Sequence, residues 1–221
     1  TPKPGWAWCD MVGTFRRALG VSVGFDTDVN ASVLGEVRFG QGRGLSTVLY
    51  LTVGTGIGLG VYLNGALHHG IVHPEAGHVL LSLHPEEHWT CRCPYHPNCL
   101  EGLACGPAIE ERWGARAEAL AQRRKVWEME AYYIAQALVD YICILAPEKI
   151  ILGGGVMRQR QLFPLIRSEV RRMMGGYLAA EELNDLDTYI VPESLDGDQG
   201  ILGSLCLGAA EWAREHGGRE A

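Results

Sequence analysis

The chain has 221 residues, 47% of them hydrophobic and 20% charged. That balance suits a soluble globular protein with a sizeable core, as one large domain or two small lobes. A formal net charge of -7 argues against a general nucleic-acid or anionic-membrane partner, since both need a concentrated basic surface. The most apolar helical stretch, residues 132–147, is interrupted by Asp140 and is no bilayer span.

The sequence opens Thr1-Pro2-Lys3-Pro4-Gly5-Trp6, without an initiator methionine or a strand ahead of this loop. The reading is therefore expected to begin part-way through a domain, with any targeting signal upstream. Residues 10–19 show mixed helical spacing and end at Gly20. Residues 21–25 are a short apolar run that predicts a buried strand. Asp26-Thr27 can cap the helix that follows, in which Ala31, Leu34 and Val37 recur at helical spacing. Residues 41–44 are a glycine-broken link. They mark the expected boundary between a small lobe, 1–43, and a large lobe, 44–221, with the last helix free to pack back on the small one.

Residues 47–53 are dense in branched side chains and predict a strand, with 57–63 as its hairpin partner and Asn64-Gly65 as a second tight turn. Residues 68–105 show weak periodicity and hold seven of the eight histidines. Such a segment is irregular and held by something other than an apolar core. A helix opens at Pro107 and runs through Trp113, and a long buried helix covers 126–145 and stops at Pro147. Residues 149–152 predict a strand entering Gly153, Gly154 and Gly155. An amphipathic helix over 161–174, a short strand over 188–191 and a helix over 200–214 follow.

Four constellations carry chemistry. In Leu51-Thr52-Val53-Gly54-Thr55-Gly56-Ile57-Gly58-Leu59-Gly60 a glycine turn joins two strands. Glycines let backbone N–H groups converge on a phosphate, and Thr55 adds a hydroxyl donor. An ordinary hairpin is the alternative, and four alternating glycines behind an apolar strand favour phosphate. Gly153, Gly154 and Gly155 lie between a strand and a helix, where a flat ring or phosphate can approach the backbone as readily as a plain turn forms. In Phe25-Asp26-Thr27-Asp28-Val29-Asn30 one aspartate serves as a cap, while the other stands at the carboxyl end of a strand, where α/β sheets place reactive groups. A base in phosphoryl transfer needs only to orient a hydroxyl and accept its proton.

The seven cysteines are an odd number, and Cys91, Cys93, Cys99 and Cys105 cluster in one segment. That pattern reads as metal binding in a reducing cytosol rather than a disulfide framework. Cys93, His96 and Cys99 are three ligands at zinc spacing, with His78 the best fourth and His84, His88 and Cys91 as competitors. Glu75, three residues before His78, and Glu101, two after Cys99, would then be held with oxygens free to accept hydrogen bonds from sugar hydroxyls. A solvated surface charge is the commoner fate of a glutamate.

Together these segments resemble the ROK family (repressors, unassigned frames and kinases), and within it the bacterial fructokinases. The resemblance covers essentially the whole chain. It rests on Thr1-Pro2-Lys3-Pro4-Gly5-Trp6, Asp26-Thr27-Asp28-Val29-Asn30-Ala31, Val53-Gly54-Thr55-Gly56-Ile57-Gly58, His73-Pro74-Glu75-Ala76-Gly77-His78, Cys93-Pro94-Tyr95-His96, Cys99-Leu100-Glu101-Gly102 and Ile151-Leu152-Gly153-Gly154-Gly155-Val156-Met157. It implies an α/β fold of the actin-like, ribonuclease-H-like two-lobed ATPase type, with a zinc-binding insertion at 73–101 and the first strands of the small lobe missing. It further implies an ATP-dependent hexose kinase, with fructose phosphorylated at its 6-hydroxyl and Asp28 as the base. Asp26, Thr27, Glu75, His78 and Glu101 would bind the sugar. Gly54, Thr55 and Gly56 with Gly153, Gly154 and Gly155 would meet the phosphates and adenosine, and His78, Cys93, His96 and Cys99 would hold zinc.

The implied partners are a hexose and ATP, the cofactors Mg2+ and Zn2+, and the setting cytoplasmic. The wider family shows Cys-x-Cys-Gly where this chain has Cys93-Pro94-Tyr95-His96, and Cys91-x-Cys93 echoes it. The family's first phosphate loop, of the form Asp-x-Gly-Gly-Thr-Lys, is absent, so a fragment or a shortened relative that can lack turnover is expected. The alternatives are a sugar-responsive repressor of the same family and a non-catalytic sugar-binding remnant. Trp89 and Trp113, expected on the surface, point to a homodimer.

Overall fold

A computed structural model describes residues 5, 6 and 8–217. The Thr1-Pro2-Lys3-Pro4 part of the opening loop lies outside the described residues. The first helix, α1 (Met11–Leu19), is capped by Asp10, whose carboxylate accepts from Gly13 N at 2.8 Å, and it stops at Gly20 with φ at 65°. Helix α2 (Asp28–Phe39) starts where Thr27 Oγ1 accepts from Asn30 N at 3.1 Å. Between them residues 21–25, expected as a buried strand, form no strand. Val21 and Phe25 are exposed and no neighbouring chain pairs with them among the described residues. An apolar run becomes a strand only where partner N–H and C=O groups are offered.

Strands β1 (Val48–Val53), β2 (Ile57–Leu63), β3 (Ala66–Leu67), β4 (Lys149–Gly153) and β5 (Ile190–Pro192) make one mixed sheet in the order β3-β2-β1-β4-β5. The hairpin pairs β1 with β2 antiparallel, Thr52 opposite Gly58 and Val53 opposite Ile57. β4 lies parallel to β1 and to β5. The expected strand over 188–191 splits instead: residues Leu186–Tyr189 close a helical turn (α7), and only Ile190 onward enters the sheet.

The period-two alternation of the strands divides the core. Val48, Tyr50, Ile151 and Val191 face α2 and the last helix, α8 (Gln199–Glu215). Leu49, Leu51, Val53, Ile150 and Leu152 face the opposite layer, built on α5 (Arg124–Leu145) and α6 (Leu162–Met174). Both faces are covered, so β1 reads as a nearly continuous apolar run rather than a polar–apolar alternation. Large α5 side chains such as Trp127 and Tyr133 are wholly buried there, each stabilising the fold by about 1.5–3 kcal/mol. α5 ends at Ala146, at φ 44°, just before Pro147, as the sequence predicts.

On the other face α2 and α8 cross almost backbone to backbone. A side chain at Gly203 would run into the Ala31 carbonyl, and one at Gly35 into the backbone of Gln199. That close crossing fixes α2, and with it Thr27 and Asp28, over the end of the sheet. Two short helices, α3 (Leu100–Ala104) and α4 (Gly106–Trp113), lead out of the cysteine-rich segment. Trp89 and Trp113 are half-buried rather than exposed. The Arg112 guanidinium sits 4.8 Å over Trp89, and that of Arg123 5.1 Å over Trp113. These tryptophans therefore give no ground for a subunit interface. Among the described residues no helix is long and apolar enough to cross a membrane.

Candidate active site and metal centre

The glycine turn of the β1–β2 hairpin and the glycine run after β4 leave the same end of the sheet, side by side. Gly54 N donates to Gly56 O at 2.9 Å, and Gly54 O accepts from Gly106 N at 2.7 Å, so the hairpin turn is tied to the start of α4. After β4 the chain does not enter an α-helix directly. It makes a 3-10 turn over Val156–Arg158 before α6. Gly154 has φ at 92°, and a Cβ there would lie 2.6 Å from Val53 O and 2.7 Å from Thr52 Oγ1. Only glycine accommodates both demands.

Two cavities meet at these turns. One, of about 310 Å³, is lined by Gly54, Thr55, Gly106, Pro107, Arg116 and Gly155, among others. The second, of about 270 Å³, is lined by Asp28, Ser32, Thr52, Gly154, Gly155, Arg158 and Glu193, among others. Gly155 borders both. The carboxyl ends of parallel β1 and β4 thus open into a cleft that carries an aspartate, where α/β sheets bind ligands. A larger cavity of about 540 Å³, between α5 and α6, contains none of the motif residues.

The two aspartates flanking Thr27 have different surroundings. Asp28 is exposed; its Oδ1 accepts from Val29 N at 2.9 Å, and the carboxylate lines the second cavity. The Asp26 side chain is only 4% exposed. It accepts from Thr27 N and Asn30 Nδ2, both at 2.8 Å, and faces His69. Thr27 is the cap and Asp26 braces it, which leaves Asp28 to face the cleft. Val29 then packs on Gly58, so Asp28 stands beside the start of β2.

Glu101 and Glu75 come to that strand from its other side. Glu101 Oε2 accepts from Ile57 N at 2.9 Å. Glu75 is exposed and precedes a 3-10 turn, Ala76–His78, whose Gly77 lies directly on the Ile57 backbone. The turn is pinned from below by Tyr141 OH, which donates to Ala76 O at 2.7 Å.

The cysteine–histidine segment closes on itself. Leu80 bridges Cys99, Leu81 N donates to Asn98 O at 2.9 Å and Leu100 N to Val79 O at 3.0 Å. These bonds carry His78 to Cys99 across twenty residues of irregular chain. The ligand atoms of His78, Cys93, His96 and Cys99 all lie within 4.8 Å of one another. Cys93 Sγ is 3.4 Å from His96 Nδ1 and 4.0 Å from His78 Nδ1, and Cys99 Sγ is 3.6 Å from His78 Nδ1. A tetrahedral site with sulfur at about 2.3 Å and nitrogen at about 2.0 Å has S···N edges of roughly 3.5 Å. The donor set and its spacing fit such a cation.

The competing ligands are engaged elsewhere. Cys91 Sγ donates to His96 O at 3.3 Å, and His84 Nδ1 accepts from Glu86 N at 3.1 Å. His88 is not part of the cluster either. Burial pushes the Cys99 thiol up to about 12 when no cation is near. Several cleft residues were not legible in the sequence: Arg158, Glu193, Tyr50 and Gln199. Tyr50 OH and Gln199 Nε2 both donate to Glu193 Oε2, at 2.8 Å each, and burial with that carboxylate holds the Tyr50 hydroxyl well above its ordinary range. Tyr50 lies inside β1, Arg158 in the turn after β4, Glu193 just past β5 and Gln199 at the start of α8, and no motif marks them.

A sheet with a glycine-lined, aspartate-bearing cleft at its carboxyl end, beside a thiol–imidazole cluster, defines an α/β protein of the kind that takes ligands at that end of the sheet. The family model described as "ROK family" matches residues 1–211. The chain is 51% identical to a protein of Bacillus subtilis (strain 168) named "Putative fructokinase", over 94% of this chain and 70% of that one. It is 42% identical to "Fructokinase" of Pediococcus pentosaceus, over 95% of this chain and 72% of that one. Among solved structures, the ROK hexokinase from Thermus thermophilus superimposes with a TM-score of 0.75 at 26% identity, covering 90% of this chain and 71% of that one. The chain belongs to the ROK family.

Proposed function

We propose that the protein is an ATP-dependent hexose kinase that phosphorylates fructose at its 6-hydroxyl, with Asp28 as general base. The observation that carries this reading is the exposed Asp28 carboxylate in a cavity that Gly154 and Gly155 also line, in a chain whose relatives at 42% and 51% identity are named fructokinases. In such an arrangement Asp28 accepts a hydrogen bond from the sugar hydroxyl, orients it in line with the γ-phosphoryl and takes its proton as the new O–P bond forms. The ADP oxygen leaves with the electrons of the broken bond. Backbone N–H groups of Gly54 to Gly56 and of Gly153 to Gly155, with the Thr55 hydroxyl, hold the nucleotide. Magnesium bound with ATP offsets charge on the triphosphate.

Glu75, His78 and Glu101 are the sugar-facing set in this reading, and Thr27 orients the base. Asp26 supports them through Asn30 and Thr27. His78, Cys93, His96 and Cys99 hold zinc in a closed structural role, keeping the 73–101 insertion in place. Thiol ligands at Cys93 and Cys99 suit a reducing cytoplasm, where we place the protein.

The test is Asp28→Asn, with rate and sugar affinity measured separately. A base contributes about 10²–10⁴-fold, so kcat falls by that order while fructose binding and folding persist. Near-normal turnover by a folded Asp28→Asn protein removes Asp28 from the role.

A further inference from the structure

Outside the thiol–imidazole cluster the fold assembles a second group of ligand-type side chains. Asp26, His69 and His73 each bring one ligand atom to within 4.8 Å of the others. Asp26 Oδ2 lies 2.8 Å from His69 Nε2, and Asp26 Oδ1 lies 3.6 Å from His73 Nδ1. The two imidazoles meet edge to face with centroids 5.4 Å apart.

Three observations point to a cation between them. The Asp26 side chain is 4% exposed, and its only ion-pair partners among the described residues are these two histidines. A buried carboxylate without a fixed positive partner is costly. Its orientation is preset by Thr27 N and Asn30 Nδ2, in the way outer hydrogen bonds hold a metal-binding carboxylate. His73 Nδ1 is itself buried and has no hydrogen-bond partner among the described residues, although it is directed at that carboxylate. Both histidines are a little under half exposed, 46% and 42%, so one side of the group is open to water.

We propose that Asp26, His69 and His73 form a second metal site, distinct from the His78–Cys93–His96–Cys99 cluster. Two imidazoles and one carboxylate suit a first-row divalent cation such as zinc, cobalt or nickel, with water completing the coordination. Lacking thiolates, this site binds such ions more weakly than the cysteine cluster. An ion there would tie the loop that carries His69 and His73, and runs on to Glu75, to the N-terminus of α2, which carries Thr27 and Asp28. The site stands on these three side chains and does not depend on the kinase reading.

Cobalt(II) is the probe. With the cysteine cluster filled by zinc, the protein takes up about one further cobalt per chain, with visible ligand-field absorption and no thiolate-to-cobalt charge transfer. The same titration broadens the His69 and His73 ring resonances in the unmodified protein. Uptake is lost in His69→Gln/His73→Gln and kept in Cys93→Ser, whose thiol cluster is the one impaired. No further cobalt uptake, uptake accompanied by thiolate charge transfer, or uptake unchanged in His69→Gln/His73→Gln overturns the proposal.

Discussion

His78 turns Nδ1 towards the two cysteines and presents Nε2 to Glu101 Oε1 at 3.8 Å, while the second oxygen of Glu101 takes the Ile57 N–H at 2.9 Å. One imidazole thus connects the thiol cluster to a carboxylate seated on the first residue of β2. The insertion is not a separate module hung on the sheet. Glu101 and Gly77 both seat the segment on Ile57 at the start of β2.

Replacing Glu101 tests that connection. Glu101→Gln keeps the size but weakens the acceptor for both Ile57 N–H and a sugar hydroxyl. Activity at low sugar falls by about 10–100-fold, the range for residues that orient a metal-binding histidine, and the loss sits mainly in KM. An unchanged KM for fructose would separate Glu101 from the sugar.

The cysteine cluster has its own signature. Purified protein carries about one tightly held zinc in a four-ligand site, counted by elemental analysis. Cys99→Ser loses it, and sugar affinity drops with it because the 73–101 chain is no longer closed. Full zinc content in Cys99→Ser would show that the ion sits elsewhere.

Gly154→Ala puts a methyl group at φ 92°, against the Val53 carbonyl and the Thr52 hydroxyl. Strain of about 1–3 kcal/mol follows, and the turn must shift away from both cavities. ATP binding is expected to weaken by about tenfold, or 1.4 kcal/mol. Calorimetric titration with ATP reads the change, and an affinity equal to that of the unmodified protein contradicts a nucleotide role for this turn.

Glu130 on α5 is wholly buried, its Oε1 has no hydrogen-bond partner among the described residues, and burial holds its carboxyl well above the usual range despite the Arg112 charge nearby. The folded state therefore keeps a proton that the unfolded chain releases above its ordinary pKa. The sign follows: this contribution to stability is full in acid and is lost as pH rises towards the folded value. Melting temperature should fall between pH 5 and 8 more steeply in the unmodified protein than in Glu130→Gln. Parallel profiles for the two proteins would show that Glu130 does not hold that proton.

A buried ion pair shows how the insertion is anchored. Arg112 Nε lies 3.0 Å from Glu87 Oε2, with the two side chains 5% and 2% exposed, and Tyr133 OH donates to the same carboxylate at 2.8 Å. Arg112→Met leaves Glu87 buried and unpaired, which costs about 3–5 kcal/mol. Chemical denaturation measures it, and a loss below 1 kcal/mol would mean that water reaches Glu87.

Much of this architecture was legible in the residues. Glycines that alternate behind an apolar strand, and the Cys93–His96–Cys99 spacing, are local constraints: each works through backbone geometry or ligand reach within a few positions. The helices over Arg124–Leu145 and Leu162–Met174 follow for the same reason, since a 3.6-residue period and a closing proline or glycine act within one segment. The residue types alone leave Asp26 and Asp28 alike; the family resemblance singled out Asp28, and the folded chain shows that the two differ in what lies opposite. His69 and Asn30 claim Asp26, whereas the Asp28 carboxylate takes the N–H of its neighbour Val29 and lines the cavity. Only the folded chain decided that residues 21–25 stay outside the sheet, that Arg158 and Glu193 border the cleft, and that His73 points a bare nitrogen at Asp26. Those are long-range meetings, set by how α2 and α8 cross and where β4 and β5 pair, and no stretch of sequence encodes them by itself.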